Sequence, residues 1–399
     1  MSGSLTPFSK YDLLPQEEKL EIEQKKGDLF IGIPKESKKY ENRICLTPDA
    51  VHALVCNGHR VLIEKGAGKK ASFKDKDYTE AGAEITADTE KVFGCPIILK
   101  VAPPSIEELE YIKPGAVLMS TLELKTLRKE YFTILEKKKI TALAFEFIKD
   151  TDGSFPAVRS LSEIAGTASI LIASEIMSNV NSGNGMMMGN ITGVPPTEVV
   201  ILGAGTVGEY ATRAALGIGA NVKVFDSSIN KLRELQNNIG RLIHTSTIQQ
   251  KHLTKALKRC DVIIGAVRGK NRAPVIISED MLGHMKNGSV IIDVSIDMGG
   301  CFETSEVTTH NDPTYVKHGV IHYCVPNIPS RYAKSSSISI SNIFSPYLLE
   351  IAENGGLENT IRSNKGLKNG IYTYHGCLSN KSIGEWFQLR HMDINLLVF

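Results

Sequence analysis

Residues 197–228 read TEVVILGAGTVGEYATRAALGIGANVKVFDSS. Residues 199–202 form an uninterrupted apolar run, the pattern of a strand buried on both faces. Gly203-Ala204-Gly205-Thr206-Val207-Gly208 follows as a glycine turn, and small residues over 211–216 continue as a helix. Residues 221–225 return as a strand that ends on Asp226. Strand, turn, helix and strand with a terminal acid is the order that receives a dinucleotide. The first glycine permits the tight turn, the second lets backbone approach a pyrophosphate, and the third lets helix pack on strand. The free N–H groups and positive dipole end of the helix then face the phosphates. Asp226 can accept hydrogen bonds from a ribose 2′-hydroxyl and would repel a 2′-phosphate, which favours NAD over NADP. Lys223 and Lys231 oppose that preference weakly.

The chain has 399 residues, enough for about two domains with sizeable cores. A net charge of +2 gives no reason to expect nucleic acid or an anionic membrane as partner. Its seven cysteines are scattered, odd in number and free of any CxxC pair, which points to a reduced, cytoplasmic compartment. No apolar run reaches the length of a membrane span, and the N-terminus lacks the apolar segment of a secretion signal.

Residues 1–27 are polar and charged and read as a solvated extension without chemistry. From Asp28 strands and helices alternate. Residues 29–33, 59–64, 96–101, 116–120 and 140–147 read as strands, with charged helical segments between them. That rhythm implies a mostly parallel sheet, so the first ~150 residues form an α/β domain of their own. Thr47-Pro48 reads as an N-cap followed by proline at the first helical position. Ser160-Leu161-Ser162-Glu163 fits a capping box ahead of an apolar helix over 164–177 that would connect two domains. Beyond the dinucleotide unit, 261–266, 289–294 and 320–325 read as further strands, and 345–353 as a helix ended by Asn354-Gly355.

Ligands of open parallel sheets bind beyond the carboxyl ends of the strands. That rule selects Asp293 and Asp297 after one strand, Asn327 after another, and Lys100 and Arg43 in the first domain. Arg43 suits a substrate carboxylate, because guanidinium binds carboxylate bidentately. Asp297 suits the proton transfer that accompanies hydride transfer at an α-carbon. The ten histidines match no zinc spacing, and no metal is expected.

Ordered stretches then carry a resemblance. They are IGIPKE (31–36), ENRICLTPDAV (41–51), NGHRVLIEKGAG (57–68), AGAEI (81–85), SEIAG (162–166), VVILGAGTVG (199–208), IIDVSIDMGGCFET (291–304) and THNDPTYVKHGVIHYCVPNIP (309–329). With these the chain resembles the alanine dehydrogenase and transhydrogenase α-subunit family over most of its length. The resemblance implies an α/β enzyme of two doubly wound domains. A central Rossmann NAD-binding domain (158–334) would be flanked by a split substrate domain (28–157 plus 335–399). It implies reversible oxidative deamination of L-alanine to pyruvate and ammonia, usually in a homohexamer. Arg43 matches the family's carboxylate-binding arginine, Asp297 its active-site aspartate and Asn327 the asparagine beside the nicotinamide. Ser162, Thr206, Val207, Asp226, Lys231 and Val267 match its cofactor contacts, alongside Gly203, Gly205 and Gly208.

Two positions depart from the family. A Lys-Val-Lys-Glu-Pro segment becomes Lys100-Val101-Ala102-Pro103-Pro104, so a substrate-contacting lysine is Ala102. A Leu-His-Leu segment becomes Leu122-Glu123-Leu124, so a catalytic histidine is Glu123. The usual Asp-Gln-Gly-Gly is Asp297-Met298-Gly299-Gly300. Lys100 is the candidate replacement for the lost cation, and Glu123, if buried, for the lost acid/base. The alternatives are a dehydrogenase for a different amino or imino acid, a transhydrogenase-like NAD(H)-binding subunit, and a regulatory NAD-binding protein.

Overall fold

The computed structural model describes residues 27–181, 183–269 and 272–398. The N-terminal extension expected over 1–27 lies outside the described residues apart from Gly27, whose N–H donates to Ala352 O at 2.9 Å.

Six strands form in the first part of the chain: β1 (Phe30–Ile33), β2 (Arg60–Glu64), β3 (Glu84–Thr86), β4 (Ile97–Leu99), β5 (Val117–Ser120) and β6 (Thr141–Ala144). The middle supplies β7 (Glu198–Leu202), β8 (Asn221–Asp226), β9 (His244–Thr247), β10 (Val262–Gly265), β11 (Val290–Asp293), β12 (Thr314–Lys317) and β13 (Val320–Tyr323). The C-terminal part adds β14 (Ile371–Tyr374) and β15 (Cys377–Leu378). They assemble into two sheets, ordered β3-β2-β1-β4-β5-β6-β14-β15 and β9-β8-β7-β10-β11-β13-β12. The first six strands of each order pair in parallel. Antiparallel strands close one edge of each sheet. The central strands are buried on both faces and, apart from Asp293 at the end of β11, apolar, as in β10 (VIIG) and β11 (VIID), which is what helices on both sides of a parallel sheet require.

Both sheets therefore have doubly wound order, as the sequence implied. In each, the chain reverses direction at its first strand, so switch points lie between β1 and β4 and between β7 and β10. Ligand crevices open beyond the carboxyl ends of the strands at such points.

Helix α1 (Pro48–Cys56) starts as expected, with Thr47 accepting from Ala50 N–H and Pro48 at the first position. Helix α2 (Pro156–Ile176) links the two bodies. Ala157 and Leu161 pack in the core of the first sheet, whereas Ala168 to Met177 pack in that of the second. Its start corrects the expected capping box at 160–163. Pro156 already sits at the N-terminus, where its fixed φ favours initiation, so Ser160 and Glu163 are interior.

The dinucleotide helix α3 (Thr206–Gly217) crosses α2 at Gly166. A Cβ there would stand 2.4 Å from Val207 O and 2.9 Å from Tyr210 Cβ. After α4 (Ile229–Ile239) comes α5 (Ala333–Glu353), far longer than the helix expected over 345–353. Its first half, AKSSSISIS, alternates serine and isoleucine like a strand, and serine competes with helix through local hydrogen bonds. The helix forms there because Ser336, Ser337 and Ser341 are buried and bonded to other segments. Among the described residues no helix is long and apolar enough to cross a membrane.

Gly166→Val tests the crossing. Overpacking of this kind costs about 1–3 kcal/mol, so the melting temperature should fall by roughly 3–10 °C. A calorimetric scan with an unchanged midpoint would remove the close contact as the reason for glycine.

Candidate active site

The crevice at β7/β10 is built by backbone. Gly203 has φ +106, and a Cβ on it would meet Ala266 O at 2.4 Å, so only glycine leaves β7 this close to the end of β10. A Cβ on Gly208 would stand 1.9 Å from Gly203 O. Gly205 differs from both. Its φ of −85 suits any residue, and a Cβ there would meet no protein atom within 4 Å. Glycine at 205 thus leaves space in front of the N-terminus of a 12-residue helix without a side-chain cap. Unpaired N–H groups and a positive dipole end suit a pyrophosphate there.

Asp226 closes the crevice. Its carboxylate accepts Ala204 N–H and Ser228 N–H, both at 2.8 Å. It thereby braces the glycine turn and keeps about two lone-pair sites for a ribose. Val267 follows β10, with its N–H on Ser295 Oγ at 3.0 Å. Ser162 is half-buried on α2, one turn before Gly166, and Lys231 is exposed in the first turn of α4. These features fit a dinucleotide.

The β1/β4 switch point is lined by side chains. Arg43, on the segment after β1, binds Glu41 through Nε (2.7 Å) and Nη2 (2.6 Å). Burial works against both charges, but each group outweighs that cost for the other. The Glu41 carboxylate is held below its ordinary value and the Arg43 guanidinium above. Serines of α5 and the turn before it fix the segment: Ser330, Ser337 and Ser341 Oγ accept the N–H groups of Asn42, Ile44 and Thr47 at 3.0, 2.9 and 3.0 Å.

Groups of the second body close over this pair. Asn327 Nδ2 donates to Glu41 at 3.0 Å, and Asn327 N–H to Asp297 Oδ1 at 3.2 Å. Lys125, after β5, reaches Asp297 O at 3.3 Å. Asp297 is exposed to water but lies deep in the cleft, with protein crowded around it. That desolvation is the largest cause lifting its carboxyl to about 6, and nearby Glu123 adds to it. The Asn327 N–H, Arg43 and Lys38 pull the other way. Asp293 is structural. It is buried, and its carboxylate accepts the N–H groups of Ser295 and Cys301 at 2.9 and 3.0 Å, which shapes the loop carrying Asp297.

The structure thus brings Arg43, Asn327, Asp297 and Glu123 to one cleft, beside the glycine turn's sheet. Lys100 is not among them. Its side chain is 0% exposed and tied to Glu36 (3.0 Å) and Glu108 (3.6 Å), because Glu36 leaves β1 beside the end of β4. Burial opposes its charge, but the two carboxylates outweigh that and hold the ammonium above its ordinary value. Burial lifts Glu36 itself to about 7. As placed, Lys100 cannot meet a substrate. Glu123 is half-buried and ion-paired with Lys38, so the full burial its acid/base role needed is absent. Sequence reasoning missed Glu41, Lys38 and the serines of α5. The E-x-R spacing of Glu41 and Arg43 was the one available signal.

Known proteins are similar to this chain. A family model described as alanine dehydrogenase/PNT, N-terminal domain, matches residues 32–165, and its C-terminal counterpart matches 169–381. The chain belongs to the alanine dehydrogenase/PNT family. Alanine dehydrogenase 2 of Staphylococcus aureus (strain USA300) is 40% identical over 366 residues, covering 91% of this chain and 98% of that protein. A solved structure of an L-alanine dehydrogenase superposes with TM-score 0.85 at 32% identity, covering 90% of this chain and 99% of that one. A transhydrogenase from Sinorhizobium meliloti, at 23% identity and TM-score 0.76 over 88% of this chain and 99% of that one, shares the fold.

Two glycine variants separate packing from ligand space. Gly205→Val should leave the melting temperature within about 2 °C yet weaken NADH binding by roughly tenfold or more. Gly208→Ala should destabilise the fold. Intact NADH binding by Gly205→Val in a fluorescence titration would mean that the space is not for phosphate.

Proposed function

We propose that the chain is an NAD-dependent alanine dehydrogenase that converts L-alanine, water and NAD+ reversibly to pyruvate, ammonium, NADH and a proton. The observation that carries this reading is Asp297, a carboxyl that can exchange a proton near neutral pH, set between Arg43 and the cofactor crevice. Family membership and the 40% identical alanine dehydrogenase support the same reaction. The body of residues 28–157 and 335–399 takes the substrate, and that of 158–334 the nucleotide.

NAD+, when bound, accepts a hydride from the substrate α-carbon. Gly203 to Gly208 hold its pyrophosphate, Asp226 its ribose, and Ser162, Val267 and Lys231 its remaining parts. Arg43 orients the substrate carboxylate with the donors that Glu41 leaves free, and Asn327 braces both Glu41 and Asp297. Ionised Asp297 takes the proton released as the amine is oxidised and hydrolysed. Glu123 holds charge at the cleft wall, and Lys100 holds the β1/β4 switch point together. We assign the protein to the cytoplasm, in keeping with free cysteines only among the described residues, and expect a homohexamer by family analogy. Light scattering that gives a monomer would refute that assembly.

Purified protein mixed with NADH, ammonium and pyruvate should consume NADH. In the deamination direction Asp297 must be ionised, so kcat/KM for alanine should fall about tenfold per pH unit below the value near 6. Asp297→Asn should lose about 10²–10⁴ in kcat/KM and the acid limb with it. Turnover with a larger 2-oxo acid but not pyruvate would move the substrate, and an unchanged pH profile in Asp297→Asn would dismiss it as the base.

A further inference from the structure

A reaction at a carbonyl needs a donor for the oxygen on which charge develops, and the cleft's cations can be accounted for one by one. Position 102 offers none: Ala102 is fully buried, and its N–H donates to Glu36 at 3.3 Å. Lys100 is sealed between Glu36 and Glu108. Arg43 spends Nε and Nη2 on Glu41 and holds the carboxylate. Lys125 lies against Asp297 O and, at 3.8 Å, Met298 Sδ, and Lys70 donates to Glu41 O at 3.2 Å.

Lys38 remains. It sits on the turn between β1 and Arg43 with 42% of its side chain exposed, and its ion-pair partner among the described residues is Glu123. Glu123 has a left-handed backbone. Its φ is +46, a region that a glutamate seldom adopts. Glu146 Oε1 keeps it there by accepting the N–H groups of Leu122 (2.9 Å) and Glu123 (3.3 Å). The charges of Lys38 and Glu123 both act on Asp297, and that of Glu123 also acts on Arg43. The pair thus faces the same cleft as the groups assigned to substrate and proton.

We infer that Lys38 is the cation that binds and polarises the substrate carbonyl oxygen, with Glu123 as its positioning residue, in place of the lysine and histidine that this chain lacks. The inference rests on the dehydrogenase reading above. In the amination direction, ammonia nitrogen bonds to C2 of the 2-oxo acid as the carbonyl π pair moves to oxygen. Lys38 donates a hydrogen bond to that oxygen as it becomes negative. One nitrogen proton passes to it, and Asp297 supplies the second proton with which it leaves as water, giving the iminium acid. No atom is oxidised or reduced until the hydride arrives.

Steady-state kinetics of the full chain with NADH, ammonium and pyruvate test this. Lys38→Met should lower kcat/KM for pyruvate by about 10²–10³-fold, with NADH affinity within about twofold, and Lys38→Arg should restore at least roughly a tenth of the wild-type value. The pH profile gives a readout that lost packing would not move. Asp297 is faced by Glu123, Arg43 and Lys38, with Lys125 on its carbonyl. Read in the deamination direction, with alanine and NAD+, loss of the Lys38 charge should move the acid limb above 6, and Glu123→Gln should move it below. Lys38→Gln serves as a second variant should Lys38→Met aggregate. Wild-type turnover with Lys38→Met within about threefold of it, or an unmoved limb in both variants, would overturn the role of Lys38 alone. A wild type inert towards every 2-oxo acid would overturn the dehydrogenase reading and this inference together.

Discussion

The bidentate pair of Arg43 and Glu41 is the contact on which the rest of the cleft depends. Both side chains are buried, at 4% and 0% exposure, so neither charge has water to fall back on. Removing one partner of such a pair strands the other and costs about 3–5 kcal/mol. The pair therefore fixes the guanidinium firmly, and it does so using both bodies. Asn327, which follows β13 of the second sheet, donates to the same Glu41, while Ser330 Oγ donates to Tyr40 O. The arginine that would orient a substrate is thus set in part by the sheet that would carry the cofactor. A change in the angle between the bodies would be felt at Glu41 before it reached the substrate.

This positioning is bought with strain and desolvation. Tyr40, Glu123 and Asn327 all have left-handed φ (+66, +46 and +55), and all three lie on loops that meet at this cleft. Each is held by other residues: Tyr40 by Ser330, Glu123 by Glu146, and Asn327 by its N–H on Asp297 and by Ser330 N–H on its carbonyl. Asp297 adds an electrostatic cost. Its carboxyl titrates near 6 in the fold, above the ordinary 3.8, so the folded chain holds that proton more tightly than the unfolded chain does. The stability this contributes is complete below about 3.8 and is lost as pH rises through 6. At neutral pH the fold therefore carries an acid it would rather keep protonated, as proton exchange requires.

The dinucleotide half was legible because its requirements are local. Gly203 and Gly208 answer to the end of β10 and to the same unit, Gly205 leaves space before the helix, and continuous apolar runs marked the parallel strands. The strand order, and with it both switch points, came only with the structure. The substrate half was less legible because its bonds are distant in sequence. Asn42, Ile44 and Thr47 find their serines 288–294 residues away, and nothing in AKSSSISIS announces that its hydroxyls hold an arginine loop. Lys100 shows the limit most sharply. Its place at a strand end was readable, but its direction was not. Glu36 and Glu108 draw the side chain beneath the cleft, Glu36 held by the N–H groups of Val101 and Ala102 and Glu108 by Ser105 N–H in a capping box.

Charge balance explains how the cleft tolerates Ala102 and Glu123. Replacing a lysine by alanine and a histidine by glutamate removes positive charge twice over and would leave a lone carboxylate beside Asp297. Lys38 neutralises that carboxylate directly, as Arg43 neutralises Glu41 and Lys100 serves Glu36 and Glu108. Asp297 is the acid left without a cation of its own. Its closest support is a single backbone N–H from Asn327, with Arg43 and Lys38 acting only through space. Desolvation without a facing cation lifts such a carboxyl, here to about 6. Glu36 is lifted further, to about 7, but it is buried against Lys100, so the proton that the cleft can exchange is the one on Asp297.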